Sequence, residues 1–207
     1  LLKMTRHEPD PISEISKIER ELDIFDIKLL PPHIIKSDLD FKIEGNNIRF
    51  GLLSIKGISD KSVEKLMNFR QEYSNKFEIF QAANEAGVTL PVLCPLIQAG
   101  ALEGFKQTRT KVVYEAQLWN KLTQREKMVI MPIGEKYDYD LVAIIRDLNS
   151  EIKDEKGNPI VKDSRMGTIR RNTELYRKIY NQNKKSESFA NWYYENRLLG
   201  YTHGKTL

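Results

Sequence analysis

The sequence has few of the residues that build covalent or metal-held sites. Its single cysteine, Cys94, excludes an internal disulfide and a thiolate-rich metal centre, and suits a reducing compartment. Cys94 lies beside Val92, Leu93 and Leu96, where a small buried hydrophobe is the plain reading. The three histidines, His7, His33 and His203, are far apart and lack metal-ligand spacing. No apolar run approaches the ~18 residues of a membrane span, and charges and Pro9 interrupt any leader-like segment over residues 1–10. There is no glycine-rich nucleotide loop. Clustered carboxylates, which phosphoryl chemistry needs for divalent ions, are limited to Asp38 with Asp40 and Asp138 with Asp140, and each pair reads as a solvated turn or helix start. No catalytic residue, metal or cofactor is therefore assigned to this segment, and no membrane is expected as a partner.

The composition, 40% hydrophobic and 30% charged, is that of an ordinary soluble chain long enough to bury a core. It opens at Leu1 and closes at Leu207, and reads as a piece of a longer polypeptide. The net charge of +4 is modest, but its distribution is uneven. Arg165, Arg170, Arg171, Arg177, Lys178, Lys184 and Lys185 face Glu174 alone between residues 164 and 185, so the remainder is slightly acidic. This segment is either a solvated helix face or a nucleic-acid surface. The nearby Tyr176, Tyr180, Trp192, Tyr193 and Tyr194 either stack on bases or pack the last helices together.

The stretch from Ile48 to Arg70 organises the rest. It reads as a strand over Ile48–Leu53, a one-turn helix, a tight turn at Lys56-Gly57-Ile58-Ser59, and an amphipathic helix carrying Val63, Leu66, Met67 and Phe69. Gly57 permits a turn that a side chain would block, and Ser59 or Asp60 can cap the following helix. A turn of this kind aims backbone N–H groups outward, where a phosphate is attracted by hydrogen bonds and the helix dipole. Lys56 and Lys61 add the cations that phosphate binding needs. The alternative is a helix–turn–helix that serves packing alone.

Elsewhere Asp10 and Pro11 open a helix through Ile12, Ile15, Ile18 and Leu22. Ile24–Leu30 alternates and predicts a strand ending at Pro31-Pro32, and Phe41–Glu44 with Ile48–Leu53 predicts a β-hairpin about Gly45-Asn46-Asn47. A helix through Phe77, Phe80, Ala83 and Ala86 should stop at Gly87. Residues 89–99 predict a helix whose regular turns begin near Val92, delayed by Pro91 and Pro95. Gly100-Ala101-Leu102 then makes a second tight turn before a helix from Gln107 or Thr108 to about Glu126, with Lys106, Arg109 and Lys111 near its start. Tyr137–Ile152 predicts a helix, residues 152–161 a hairpin about Gly157-Asn158-Pro159, and Thr173–Asn183 and Phe189–Leu199 the last helices.

Several stretches taken in order carry a family resemblance: Leu29-Leu30-Pro31-Pro32-His33-Ile34, Ser37, Phe41, Ile48-Arg49-Phe50-Gly51-Leu52, Ile55-Lys56-Gly57-Ile58, Leu96 to Leu102, and Arg109. Together they resemble the bacterial replicative DNA polymerases of family C, the alpha subunits of DNA polymerase III, where the distal fingers pass into the helix-hairpin-helix and clamp-binding region. The resemblance covers residues 1 to about 122, with an echo at Glu195, Leu199-Gly200-Tyr201 and His203-Gly204 that is similar to the segment ahead of the family's oligonucleotide-binding domain. The chain departs from the family at His33 and Ile35, at Ser59 where a second glycine is usual, in lacking an evident clamp-binding pentapeptide between Phe105 and Phe189, and in a basic insert over Met128–Lys185. It reads as a divergent, bacterial or phage-encoded member.

The resemblance implies a mainly α fold with small β-hairpins, a tandem helix-hairpin-helix module within a larger polymerase. The expected division is a distal fingers portion over 1–54, the tandem module over 55–127, the basic insert over 128–185, and a helix over 186–207 leading to a following domain. The implied function is to hold duplex primer–template DNA by its backbone, without sequence readout, in support of DNA synthesis in the bacterial cytoplasm or a phage-infected cell. The residues expected to meet DNA are Lys56, Gly57, Ile58, Ser59 and Lys61 at the first turn and Gly100, Ala101, Lys106 and Arg109 at the second, with Arg165, Arg170, Arg171, Arg177 and Lys178 as additional contacts. Mg2+ is expected in a palm upstream of Leu1. A sliding clamp or another replisome protein is a further candidate partner. The alternatives are a protein-interaction module docking such a protein, and a helix-hairpin-helix segment of a repair ligase or nuclease.

Overall fold

The computed structural model describes residues 1–103, 105–184 and 187–203. Lys185 and Gly204, named above, and the ends of the helix expected over 186–207 lie outside the described residues. The fold is mainly α with one small sheet, as expected.

A 3-10 segment over Leu2–His7 leads into α1, Pro11–Ile24, which Asp10 caps through the Ser13 N–H at 3.3 Å. The strand expected from Ile24 does not form: the helix runs to Ile24, and Asp26 turns the chain at φ +56°. Ile24 and Phe25 are exposed, so the alternation that suggested a half-buried strand was surface apolarity. Only Leu29–Leu30 is extended there, as β1. The hairpin forms as β2, Lys42–Glu44, and β3, Asn47–Arg49, paired antiparallel with Ile43 opposite Ile48. β1 joins β3 in parallel, giving the order β1-β3-β2. The Arg49 guanidinium holds the sheet together, clasping both Glu44 carboxylate oxygens at 2.7 Å and donating to the Pro31 carbonyl.

Seven further helices surround this nucleus among the described residues before the last: α2 (Val63–Phe69), α3 (Lys76–Ala86), α4 (Leu90–Gln98), α5 (Arg109–Trp119), α6 (Gln124–Ile133), α7 (Leu141–Asp147) and α8 (Asp163–Asn183); α9 (Glu187–Leu199) completes the set. Gly87 ends α3 in the left-handed region as expected. α4 begins at Leu90, earlier than Val92, because Pro91 sits where a helix has no use for an N–H. The single helix expected from residue 107 to 126 is two, broken at Asn120–Thr123, and the one expected over Tyr137–Ile152 is only Leu141–Asp147. The hairpin about Gly157 is reduced to one bridge between Lys153 and Pro159. α8 starts ten residues before Thr173, burying Met166, Ile169 and Thr173.

The core is one cluster extending from Leu2 to Tyr201. Phe77 stacks on Trp119 at 5.5 Å, and both are fully buried. Tyr114 of α5 stacks on Tyr180 of α8 at 4.7 Å, which fixes the basic helix to the middle of the molecule.

Candidate nucleic-acid interface

The first turn is on the surface. Leu52, Leu53 and Ile55 anchor the chain before it and Ile58 anchors it within, so the backbone between them is held while Lys56, Gly57, Ser59, Asp60 and Lys61 stay exposed. Gly57 has φ +95°, which is what demands glycine here; a Cβ would meet Pro95 Cγ only at an ordinary 3.6 Å. Ser59 marks the start of a 3-10 turn, Asp60–Ser62, that runs into α2, and neither it nor Ser62 makes a side-chain cap. The expected cap by Ser59 or Asp60 is thus absent. The Asp60 carboxylate instead accepts from Arg6 Nη1 at 2.8 Å, tying the N-terminal segment to the turn.

Two backbone N–H groups of the turn are already used. Lys56 donates to the Leu198 carbonyl at the end of α9 (3.0 Å), and Ile58 donates to Ile55. Those of Gly57, Ser59, Asp60 and Lys61 have no partner among the described residues. The Lys56 and Lys61 ammonium groups form no ion pair there either. The turn therefore presents two unneutralised cations beside outward N–H groups, which is the chemistry of an oxyanion contact.

The second turn is built differently. Gly100 has φ +80°, and a Cβ on it would lie 2.8 Å from Arg109 Nη2. Arg109 Nη1 donates to the Gln98 carbonyl at 3.1 Å and pairs with Glu195 of α9 at 3.0 Å. His203 closes the other side, its Nε2 3.1 Å from the Ala99 carbonyl and 3.2 Å from Glu195 Oε1. Ala101 is fully buried: its N–H donates to Leu96, and its carbonyl accepts from Ile34. Ala101 and the Arg109 guanidinium thus face inward. Lys106 is exposed beside Asp138 at 3.0 Å, a pair that solvent screens.

In the basic helix Arg165 is committed to Glu126 (2.9 Å) and to the Lys121 carbonyl. Arg177 clasps Glu174 at 2.8 Å, with Lys178 at 3.9 Å. Arg170 and Arg171 are exposed and form no ion pair among the described residues, although Arg171 Nη2 donates to Thr168 Oγ1 at 3.1 Å. The structure therefore gathers Lys56, Gly57, Ile58, Ser59 and Lys61 at one outward turn, Gly100, Ala101 and Arg109 at one closed turn, and the α8 residues on a separate helix.

Residues 26–112 match the helix-hairpin-helix motif family. The chain is similar to the DNA polymerase III alpha subunits of Aquifex aeolicus, at 29% identity over 116 residues, and of Thermus aquaticus, at 30% over 108; these cover 54% and 51% of this chain. That of Deinococcus radiodurans is 29% identical over 108 residues. The chain thus carries a helix-hairpin-helix match over residues 26–112 and is similar to DNA polymerase III alpha subunits over about half its length. The chain spans about a tenth of the length of the curated relatives it matches.

The matched residues hold both turns, and sequence reasoning found both through their glycines. It noted Glu195 and His203 only within the C-terminal family echo and did not place them over Gly100, and it missed Leu198 beneath Lys56 and Arg6 on Asp60. No local pattern marks these partners, because each is separated from the region by tens of residues.

Proposed function

We propose that this chain is a segment of a DNA polymerase III alpha-like replicative polymerase that holds duplex primer–template DNA by its phosphate backbone, without reading sequence. The carrying observation is the Lys56–Lys61 turn, outward, with both cations unpaired among the described residues and Gly57 fixed at positive φ. It lies inside the matched helix-hairpin-helix motif. Lys106, Arg170 and Arg171 supply supplementary phosphate contacts, whereas Arg109 and Arg165 act by holding the scaffold. In this reading residues 1–54 belong to the distal fingers, 55–127 to the paired turns, and 128–185 are an insert. Synthesis itself, with its Mg2+, belongs to a palm elsewhere in the parent chain, in the cytoplasm of a bacterium or a phage-infected cell.

The test is binding of a blunt duplex to the 207-residue chain at rising salt. Each neutralised phosphate contributes about 0.9 to the slope of log affinity against log salt, so Lys56→Ala with Lys61→Ala should flatten it by about 2. Retention of the full slope in the double variant would remove the turn from the interface.

A second reading, docking of a clamp or another replication protein by residues 128–185, is favoured by Leu175 and Ile179, 67% and 46% exposed one turn apart on α8. A partner that co-purifies with the chain and is lost on deleting 128–185, with no DNA binding at low salt, would support that reading.

A further inference from the structure

The outer face of α9 carries side chains that neither the fold nor the turn uses. Phe189, Trp192 and Tyr193 are 52%, 37% and 45% exposed, and they lie next to one another: Phe189 is 5.6 Å from Trp192 and stacks on Tyr193 at 6.3 Å. The Arg197 guanidinium sits 5.6 Å over the other part of the cluster, the Tyr193 ring. Asn196 donates to the Trp192 carbonyl, and both it and Arg197 continue the same face. At 1.5 Å per residue the stripe from Phe189 to Arg197 is about 12 Å long. The inner face is a different surface: Ala190, Tyr194, Leu198 and Leu199 are buried.

The stripe also leads somewhere. Arg197 directly precedes Leu198, whose carbonyl takes the Lys56 N–H, so the stripe ends one residue before the point at which α9 holds the turn. Three contiguous exposed rings would be costly to leave in water without a use. Aromatics followed by an Arg and then by two unpaired lysines match a polymer with π-faces on one side and phosphates on the other.

We propose that the α9 stripe is a stacking platform for an unpaired nucleic-acid strand, entered from the Lys56–Lys61 turn: bases stack on Tyr193, Trp192 and Phe189, and the phosphates meet Arg197 and Lys56. The site thereby prefers a duplex with a single-stranded overhang to a blunt one. This rests on the duplex-backbone reading for its orientation, but the rings themselves are a separate determinant.

Tryptophan reports on the site directly, because Trp119 is fully buried and Trp192 is not. Three probes are titrated into the full chain at fixed salt: oligo-dT, a blunt duplex, and the same duplex with a dT overhang. Quenching by oligo-dT and by the overhang, absent in Trp192→Phe, is expected. Trp192→Ala with Tyr193→Ala should weaken overhang and oligo-dT binding by at least tenfold, since each base–aromatic stack is worth ~1–3 kcal/mol, while blunt-duplex affinity stays within twofold. Trp192→Phe, which preserves a ring, should bind as the parent does, and an unchanged circular dichroism melt confirms that the fold survives.

Equal loss for blunt and overhang DNA, or no loss for either, overturns the platform. So does self-association of the chain that the double alanine variant abolishes, because the rings would then be a protein contact. Failure of the duplex reading gives a different pattern: no blunt-duplex binding at low salt, with oligo-dT still quenching Trp192.

Discussion

Lys76 and Glu115 are hidden almost completely, with side-chain exposures of 2% and 0%, and stand 2.6 Å apart. Glu115 also accepts the Leu141 N–H that opens α7. Burial pulls the Lys76 ammonium pKa down and pushes the Glu115 carboxyl pKa up, and the attraction between them opposes both. Losing either partner strands the other charge in the core. Lys76→Met or Glu115→Gln alone is expected to destabilise by about 3–5 kcal/mol in urea unfolding, while the two substitutions combined should cost less than the sum of the singles. Cys94 follows the same physics: burial pushes its thiol up from 9.0 to about 12. Its alkylation at pH 8 should therefore run about a thousandfold slower in the native chain than in urea, because only the thiolate reacts. Here the sequence was partly legible: a cysteine among Val92, Leu93 and Leu96 suggests a buried hydrophobe, and Cys94 is half-buried. The Lys76–Glu115 pair was not, because partners 39 residues apart leave no local mark.

At the scale of helices, the Thr123–Glu126 capping box does more than start α6. Thr123 Oγ1 accepts the Glu126 N–H at 3.2 Å while Glu126 reaches back to the Thr123 N–H, and the same carboxylate receives Arg165 from the first turn of α8. One acid thus fixes two helix starts. Thr123→Ala removes a cap and should cost about 1 kcal/mol. Glu126→Ala also leaves a half-buried guanidinium unpaired, and should cost more by a further ~1–3 kcal/mol. Because Arg165 is committed to this joint, Arg165→Ala is expected to lower the melting temperature yet leave the salt slope of duplex binding unchanged, whereas Lys56→Ala does the reverse. Element types were largely readable where caps and period agree, as at Asp10-Pro11 and Gly87. The reading failed where the signal was split: Met166, Ile169 and Thr173 carry helical spacing, but the cations between them masked α8 as surface composition. At Ile24–Phe25 the opposite happened, and exposed apolar residues imitated a strand.

Across the whole molecule, the C-terminal segment closes the fold over the N-terminal sheet and the helix-hairpin-helix region. Tyr201 Oη donates to the Leu29 carbonyl at 2.8 Å, and Gly200, at φ +90°, lies so close to α1 that a Cβ would be 2.5 Å from the Ile12 carbonyl. The same segment supplies the Glu195 and His203 that lock Arg109 over Gly100, so the second turn, whose residues alone suggested a phosphate grip, depends on a contact 86 residues away. This closure is sensitive to acid. Burial holds the His203 pKa below its usual 6.5, against the pull of Glu195 and with Arg109 reinforcing the depression. The neutral ring suits its place, since Nε2–H can donate to the Ala99 carbonyl without bringing a charge into the joint. Below about pH 6.5 the unfolded chain protonates this histidine before the folded chain does, so the unfolded state binds more protons and stability must fall with falling pH through that window. The urea midpoint should accordingly be lower at pH 5.5 than at pH 7.5, and His203→Gln, which keeps a donor but cannot titrate, should shrink the difference. A pH dependence of equal size in His203→Gln would assign it to other groups and leave the joint insensitive to protonation.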